Sequence, residues 1–260
     1  MTDHERALRV LAHGELTVEG RVLAASNLTL YARVDTGEDA MPCVYKPMSG
    51  ERPLWDFPDG TLAAREVASY ELARLAGWDL VPPTVLRDGP LGPGMCQQWV
   101  VTEEADPLVD VVVADPGAGW ISVLEGQDGS GRPVRLVHRD DADLRRLALL
   151  DAVLNNADRK GGHVLRTAQG TLVGVDHGLC FHVEPKLRTV LWGWAGQVLG
   201  PDERTALERV LGDLDHDETL PRLLTGAEVD ATRQRVQDLL ESGRMPFPSR
   251  TRPAVPWPAM

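Results

Sequence analysis

The stretch LLDAVLNNADRKGGHVLRTAQGTLVGVDHGLCF, residues 149–181, decides how the rest of the chain is read. An apolar helical run ends at the polar knot Asn155-Asn156-Ala157-Asp158-Arg159-Lys160-Gly161-Gly162-His163. The pattern then alternates through HVLRT, turns at AQG and alternates again through TLVGVD, which predicts a β-hairpin. The hairpin closes on Asp176-His177-Gly178. Two carboxylates, Asp158 and Asp176, are thus presented from two loops that flank a single hairpin.

Upstream, residues 1–13 read as a short helix or arm, followed by two alternating apolar strands at 15–23 and 28–34. The turn Ala24-Ala25-Ser26-Asn27 joins them without a glycine. Ser26, Asn27 and Thr29 offer hydroxyl, amide and backbone N–H donors to a phosphate, although an ordinary hairpin turn fits equally well. A third short strand, Pro42 to Pro47, carries Lys46. Thr61 then caps a helix, LAAREVASYELARLAGW, that stops at Gly77 and contains Glu66 near its middle and Glu71 beyond it. VPPTVL (81–86) reads as a strand, RDGPLGPG as a loop and 95–101 as a buried strand whose apolar pattern stops at 102–106, where a domain boundary is expected. Residues 107–138 hold an apolar run and a hairpin, WISVLEG with RPVRLVH, that suggest no catalytic role. Asp140 is the expected cap of the helix 141–154. Beyond Phe181, Trp192-Gly193-Trp194 read as core, helices are expected at 201–213 and 226–242, and the last eighteen residues, with five prolines, form an extended tail.

Composition narrows the function. A chain of 260 residues with 43% hydrophobic content can bury one large core or two modest ones. It has no apolar run of membrane-spanning length and no secretory signal, and Cys43, Cys96 and Cys180 show no metal or disulfide spacing, so a reducing cytoplasm is expected. The net charge of -12 argues against nucleic-acid binding. Only three lysines occur, Lys46, Lys160 and Lys186, against twenty-four arginines, so a lysine in a strategic place carries weight.

In order, the chain supplies a strand–turn–strand, a lysine strand, a glutamate helix, Asp158-Arg159-Lys160-Gly161-Gly162-His163 and Asp176-His177-Gly178. This resembles the atypical branch of the protein-kinase-like superfamily, with the phosphatidylinositol 3-/4-kinases and HipA-type kinases, and resembles more closely a bacterial family of lipid-kinase-like proteins. The lipid kinases carry Asp-Arg-His-x-x-Asn and then Asp-Phe-Gly, so His163 replaces the metal-binding Asn. The resemblance implies an α+β, two-lobed fold, with a β-rich N-lobe (1–104), a mainly helical C-lobe (105–242) and the tail (243–260). It implies that Lys46 contacts ATP phosphates, Glu66 orients Lys46, Asp158 aligns or deprotonates an acceptor hydroxyl, and Asp176, with His163, binds Mg²⁺ or Mn²⁺. Gln98, Trp99 and Val100 fall at the hinge expected to meet adenine.

The expected activity is ATP-dependent phosphoryl transfer to a hydroxyl of a protein or small molecule. A phospholipid acceptor is disfavoured by the acidic surface. Asn155 or Asn156 is an alternative metal ligand. The rival readings are a pseudokinase or nucleotide-binding scaffold, an AMP transferase on the same fold, and a metal-dependent hydrolase using Asn155, Asp158, His163 and Asp176.

Overall fold

The computed structural model describes residues 2–23, 27–57, 61–102 and 107–260. The fold is α+β, built from antiparallel sheets and helices. Helix α1 (Asp3–His13) buries Ala7, Val10 and Leu11 and leads into a five-stranded antiparallel sheet. Its strands are β1 (Glu15–Arg21), β2 (Leu30–Asp35), β3 (Ala40–Pro47), β4 (Thr84–Gly89) and β5 (Gly92–Gln98), in the order β1-β2-β3-β5-β4. Alternation along β2 sends Leu30, Ala32 and Val34 to one face, where they meet Val10, Leu11, Tyr45 and Cys96 in a compact cluster.

The segment 87–94, expected as a loop, is mostly strand. β4 and β5 pair up to Gly89 opposite Gly92, and Gly92 adopts φ 95° to make the tight turn. The other glycines there serve packing. The Tyr45 ring lies across the hairpin, and a Cβ on Gly89 or Gly94 would come within 2.6 Å or 2.8 Å of it.

Helix α2 (Leu62–Leu75) sits between β3 and β4 in sequence. Thr61 caps it, accepting from the Ala64 N–H, and Gly77 follows its end at φ 71°. It is buried on most sides, which an alanine-rich helix tolerates. Ala63 and Val67 pack on Met95, while Ala68, Tyr70 and Leu72 join a second, larger core.

That larger core is built mainly by the rest of the chain. β6 (Val109–Val112), β7 (Trp120–Gln127) and β8 (Pro133–Arg139) form a three-stranded antiparallel sheet in the order β6-β8-β7. Helix α3 (Ala142–Leu154) follows. Its cap is Asp141, whose carboxylate accepts from the Asp143 and Leu144 N–H groups; Asp140, the expected cap, instead accepts from the Trp194 indole. The hairpin β9 (Val164–Arg166) and β10 (Leu172–Gly174) comes next, then α4 (Pro201–Asp213), the short α5 (Leu220–Leu223) and α6 (Gly226–Ser242). α3 buries Leu144, Leu147, Leu149, Leu150 and Leu154 at the centre of this core. Trp194 is core, as its sequence context suggested.

The tail is laid over the surface. The Ala254 carbonyl accepts from the Thr189 N–H and the Trp192 indole, and the Ala259 carbonyl accepts from the Gly161 N–H at 2.8 Å. Among the described residues no helix is long and apolar enough to cross a membrane.

Candidate functional site

Pleating of β3 turns Tyr45 into the sheet's core and Lys46 to the opposite face. There the Lys46 ammonium donates to Glu66 Oε1 at 2.5 Å and to Asp176 Oδ1 at 2.9 Å. The other oxygen of Glu66 accepts the His177 N–H at 3.0 Å. A strand, a helix and the loop after β10 are therefore locked together around one cation. Glu71, the other glutamate of α2, pairs with Arg74 instead.

Asp176 takes up φ 60°, a left-handed conformation that Asp tolerates better than most residues and that persists only where the surroundings enforce it. Burial works against the Lys46 ammonium, but the carboxylates of Asp176 and Glu66 overcome it and raise its pKa. The Lys46 charge in turn holds Asp176 well below the ordinary carboxylate range, against the cost of burial. Because the Asp176 side chain is 49% exposed, solvent moderates that effect. Glu66, only 2% exposed, is pushed up by burial while Lys46 pulls it back.

Asp158 follows a left-handed Asn155 that ends α3. Its N–H donates to Asn156 Oδ1, and its carboxylate faces the Lys160 ammonium at 3.0 Å. Beneath it, Arg159 is completely buried. It forks onto both oxygens of Asp151 at 2.9 Å and 3.0 Å, donates to the carbonyls of Val175 and His163, and donates a hydrogen bond to His177 Nε2 at 2.7 Å. Arg159 thus ties the loop bearing Asp158 to the loop bearing Asp176. Burial, with the Arg159 charge, keeps His177 neutral. His163 Nε2 lies 3.4 Å from Asp176 Oδ2, its Nδ1 is buried without a partner among the described residues, and burial lowers its pKa although Asp176 opposes this.

These groups line one cleft of about 690 Å³. Lys46, Glu66, Asp158, His163 and Asp176 all border it, as do Asn27, Thr29, Gln98, Trp99 and Val100. Ser26 lies outside the described residues. The Gln98 and Trp99 N–H groups donate to the carbonyls of Pro83 and Pro42, so of the three hinge amides only that of Val100 is unbonded among the described residues. Thr29 is buried, its hydroxyl turned to the Asn27 carbonyl, which withdraws it as a phosphate donor. Asn155 and Asn156 are not cleft ligands either. Asn155 bonds the backbone of His182, Glu184 and Lys186, and Asn156 bonds Asp151 and Asp158.

No family model matches the chain. Protein Rv2133c of Mycobacterium tuberculosis (strain H37Rv) is 49% identical over 274 residues, a match that takes in 100% of this chain and 96% of that protein. The chain belongs to the Rv2133c family. The family match spans the whole length, cleft included.

Three further features of the cleft escaped the sequence reading. Lys160 was visible only through the scarcity of lysine. Glu51 caps α2 from outside, accepting the Leu62 and Ala63 N–H groups at 3.0 Å and 2.8 Å, and Arg52 beside it reaches the cleft. The Asp151–Arg159 pair had one signal, a lone carboxylate inside the apolar run LALLDAVL.

Proposed function

We propose that the chain is an ATP-dependent phosphotransferase of the two-lobed, protein-kinase-like kind, acting on a hydroxyl of a protein or small molecule. The observation that carries this reading is the Lys46 ammonium held between Glu66 and Asp176 in the cleft that also contains Asp158. A hydrolase would leave this lysine–glutamate pair idle. The division of the apolar residues into a sheet-based cluster and a larger, mainly helical one supports two lobes, with α2 and the cleft between them.

Among the described residues no group of three or more His, Cys, Asp and Glu is placed to hold a metal by itself. Magnesium arriving with nucleotide does not need one, since it usually takes one or two carboxylates plus phosphate oxygens and water. Asp176, half exposed and with His163 Nε2 3.4 Å from its Oδ2, fits that requirement. Bound there, the metal would neutralise and orient the phosphates. Lys46 steadies the transferred and leaving phosphates, and Glu66 keeps Lys46 in place. Asp158 aligns the acceptor hydroxyl and takes its proton as the oxygen attacks the terminal phosphorus; the bond to the ADP oxygen breaks and ADP departs with the electron pair.

A second reading, a nucleotide-binding scaffold without turnover, is favoured by His163 standing where the resemblance calls for Asn. The test is calorimetric and thermal-shift titration with ATP, with and without Mg²⁺ or Mn²⁺, on the wild type, Asp176→Ala and Lys46→Met. Metal-dependent binding in the wild type, weakened about tenfold or more in both variants, is expected from the loss of charge-assisted contacts. No ATP binding by the wild type with any of these metals would overturn both readings.

A further inference from the structure

The cleft contains four carboxylates, Glu51, Glu66, Asp158 and Asp176, and three cations, Lys46, Arg52 and Lys160. Two of the cations are already engaged. Lys46 is shared by Glu66 and Asp176, and Lys160 faces Asp158. The fourth carboxylate, Glu51, is taken up by the first turn of α2. Arg52 differs from all of these. Its side chain is exposed and has no partner among the described residues.

Arg52 is nonetheless well placed. Its N–H donates to Asn27 Oδ1 at 3.1 Å, and the neighbouring Gly50 carbonyl accepts the Leu28 N–H. The segment 50–57 is thereby fastened to Asn27 and Leu28, just ahead of β2. Its far end is latched to the other half of the molecule. Lys186 donates to the carboxylate and the carbonyl of Asp56, both at 2.9 Å, and the Phe57 ring lies between the cations of Lys186 and Arg65 at 4.7 Å and 5.1 Å. Residues 50–57 form a strap along one wall of the cleft, and Asn27 spends its side-chain amide oxygen on holding it.

We propose that Arg52 is a polyphosphate-binding residue of the nucleotide site, carried by this strap in place of a glycine-rich loop. The proposal rests on the nucleotide-binding reading of the cleft. A triphosphate brings several negative charges into a space where the other cations are already balanced by carboxylates. A free guanidinium with five donors in a fixed fork is suited to bridge two phosphate oxygens.

The test compares wild type, Arg52→Ala and Arg52→Lys by calorimetry with ATP, ADP, adenosine and inorganic tripolyphosphate. Arg52 is exposed, so the ligand-free melting temperature of Arg52→Ala should match the wild type. Losing a charge-assisted contact should weaken ATP, ADP and tripolyphosphate about tenfold to a hundredfold in Arg52→Ala, less in Arg52→Lys, with adenosine unchanged. Equal ATP affinity in wild type and Arg52→Ala would overturn the role of Arg52 while leaving the nucleotide site standing. Equal weakening of adenosine would overturn it too, by showing that the residue acts away from the phosphates. If the wild type binds neither ATP nor ADP, the underlying reading fails and the proposal fails with it.

Discussion

Arg159→Met offers a quantitative test of how the two acidic loops are held together. The substitution keeps most of the volume and removes the charged partner of Asp151, a carboxylate with no exposure to solvent that keeps only the Asn156 amide. It also strips a donor from Val175 O and from His177 Nε2. Breaking a buried pair on one side costs about 3–5 kcal/mol. The carboxylate has one escape, to bind a proton. For an ordinary aspartate that costs about 4 kcal/mol at pH 7 and only about 1.5 kcal/mol at pH 5, at about 1.36 kcal/mol per unit. The orphaned acceptors add about 1–2 kcal/mol with little dependence on pH. The expected loss is therefore about 5 kcal/mol at pH 7 and about 3 kcal/mol at pH 5. That is a large share of the roughly 5–15 kcal/mol of a typical domain. The sign is fixed: a carboxyl forced towards its neutral form in the folded state costs stability increasingly as pH rises. Urea unfolding followed by tryptophan fluorescence at both pH values measures the loss. Asp151→Leu combined with Arg159→Met should be more stable at pH 7 than Arg159→Met alone, because no buried charge is left over. A penalty equal at the two pH values, with a double variant no better than the single one, would refute this account.

Two other outcomes follow from packing and titration. His138, His163 and His177 all have pKa values lowered by burial, so the folded chain refuses protons that the unfolded chain accepts near pH 6.5. Stability should be fully present above about pH 6.5 and fall below it, by up to about 1.4 kcal/mol per pH unit for each histidine, as read from melting temperatures between pH 8 and pH 5. Gly193→Ala should cost about 1–3 kcal/mol in urea unfolding, since its Cβ would lie within 2.4 Å of the His138 ring and 2.5 Å of Ile121 and disturb the bond from the Gly193 N–H to His138 Nε2.

Helices α4 and α6 were legible to the residue, and α2 was legible at its start, where Thr61 caps it, but ends at Leu75, two residues before the Gly77 expected to close it. The contact of Lys46 with Glu66 followed from the resemblance, with the position of Glu66 within its helix deciding between it and Glu71. The β4–β5 hairpin was not. RDGPLGPG has the composition of a loop, and Gly89 and Gly94 are there because the Tyr45 ring covers them, a contact with a residue more than forty positions away. The roles of Asn155 and Asn156 were misread for a related reason: an amide beside a catalytic motif resembles a ligand until its hydrogen bonds are traced to the backbone and to Asp151. The strap over 50–57 had no periodic signal at all. Its course depends on Lys186, which lies 130 residues further along the chain.

The position of the three lysines has a practical consequence. Lys46 and Lys160 face the cleft and Lys186 fastens its strap, so the rest of the surface carries its positive charge on arginine alone. A lysine-directed acylating reagent therefore meets no background of other lysine side chains. Which lysines it modifies, and how fast, would report directly on whether the cleft is filled and its strap fastened.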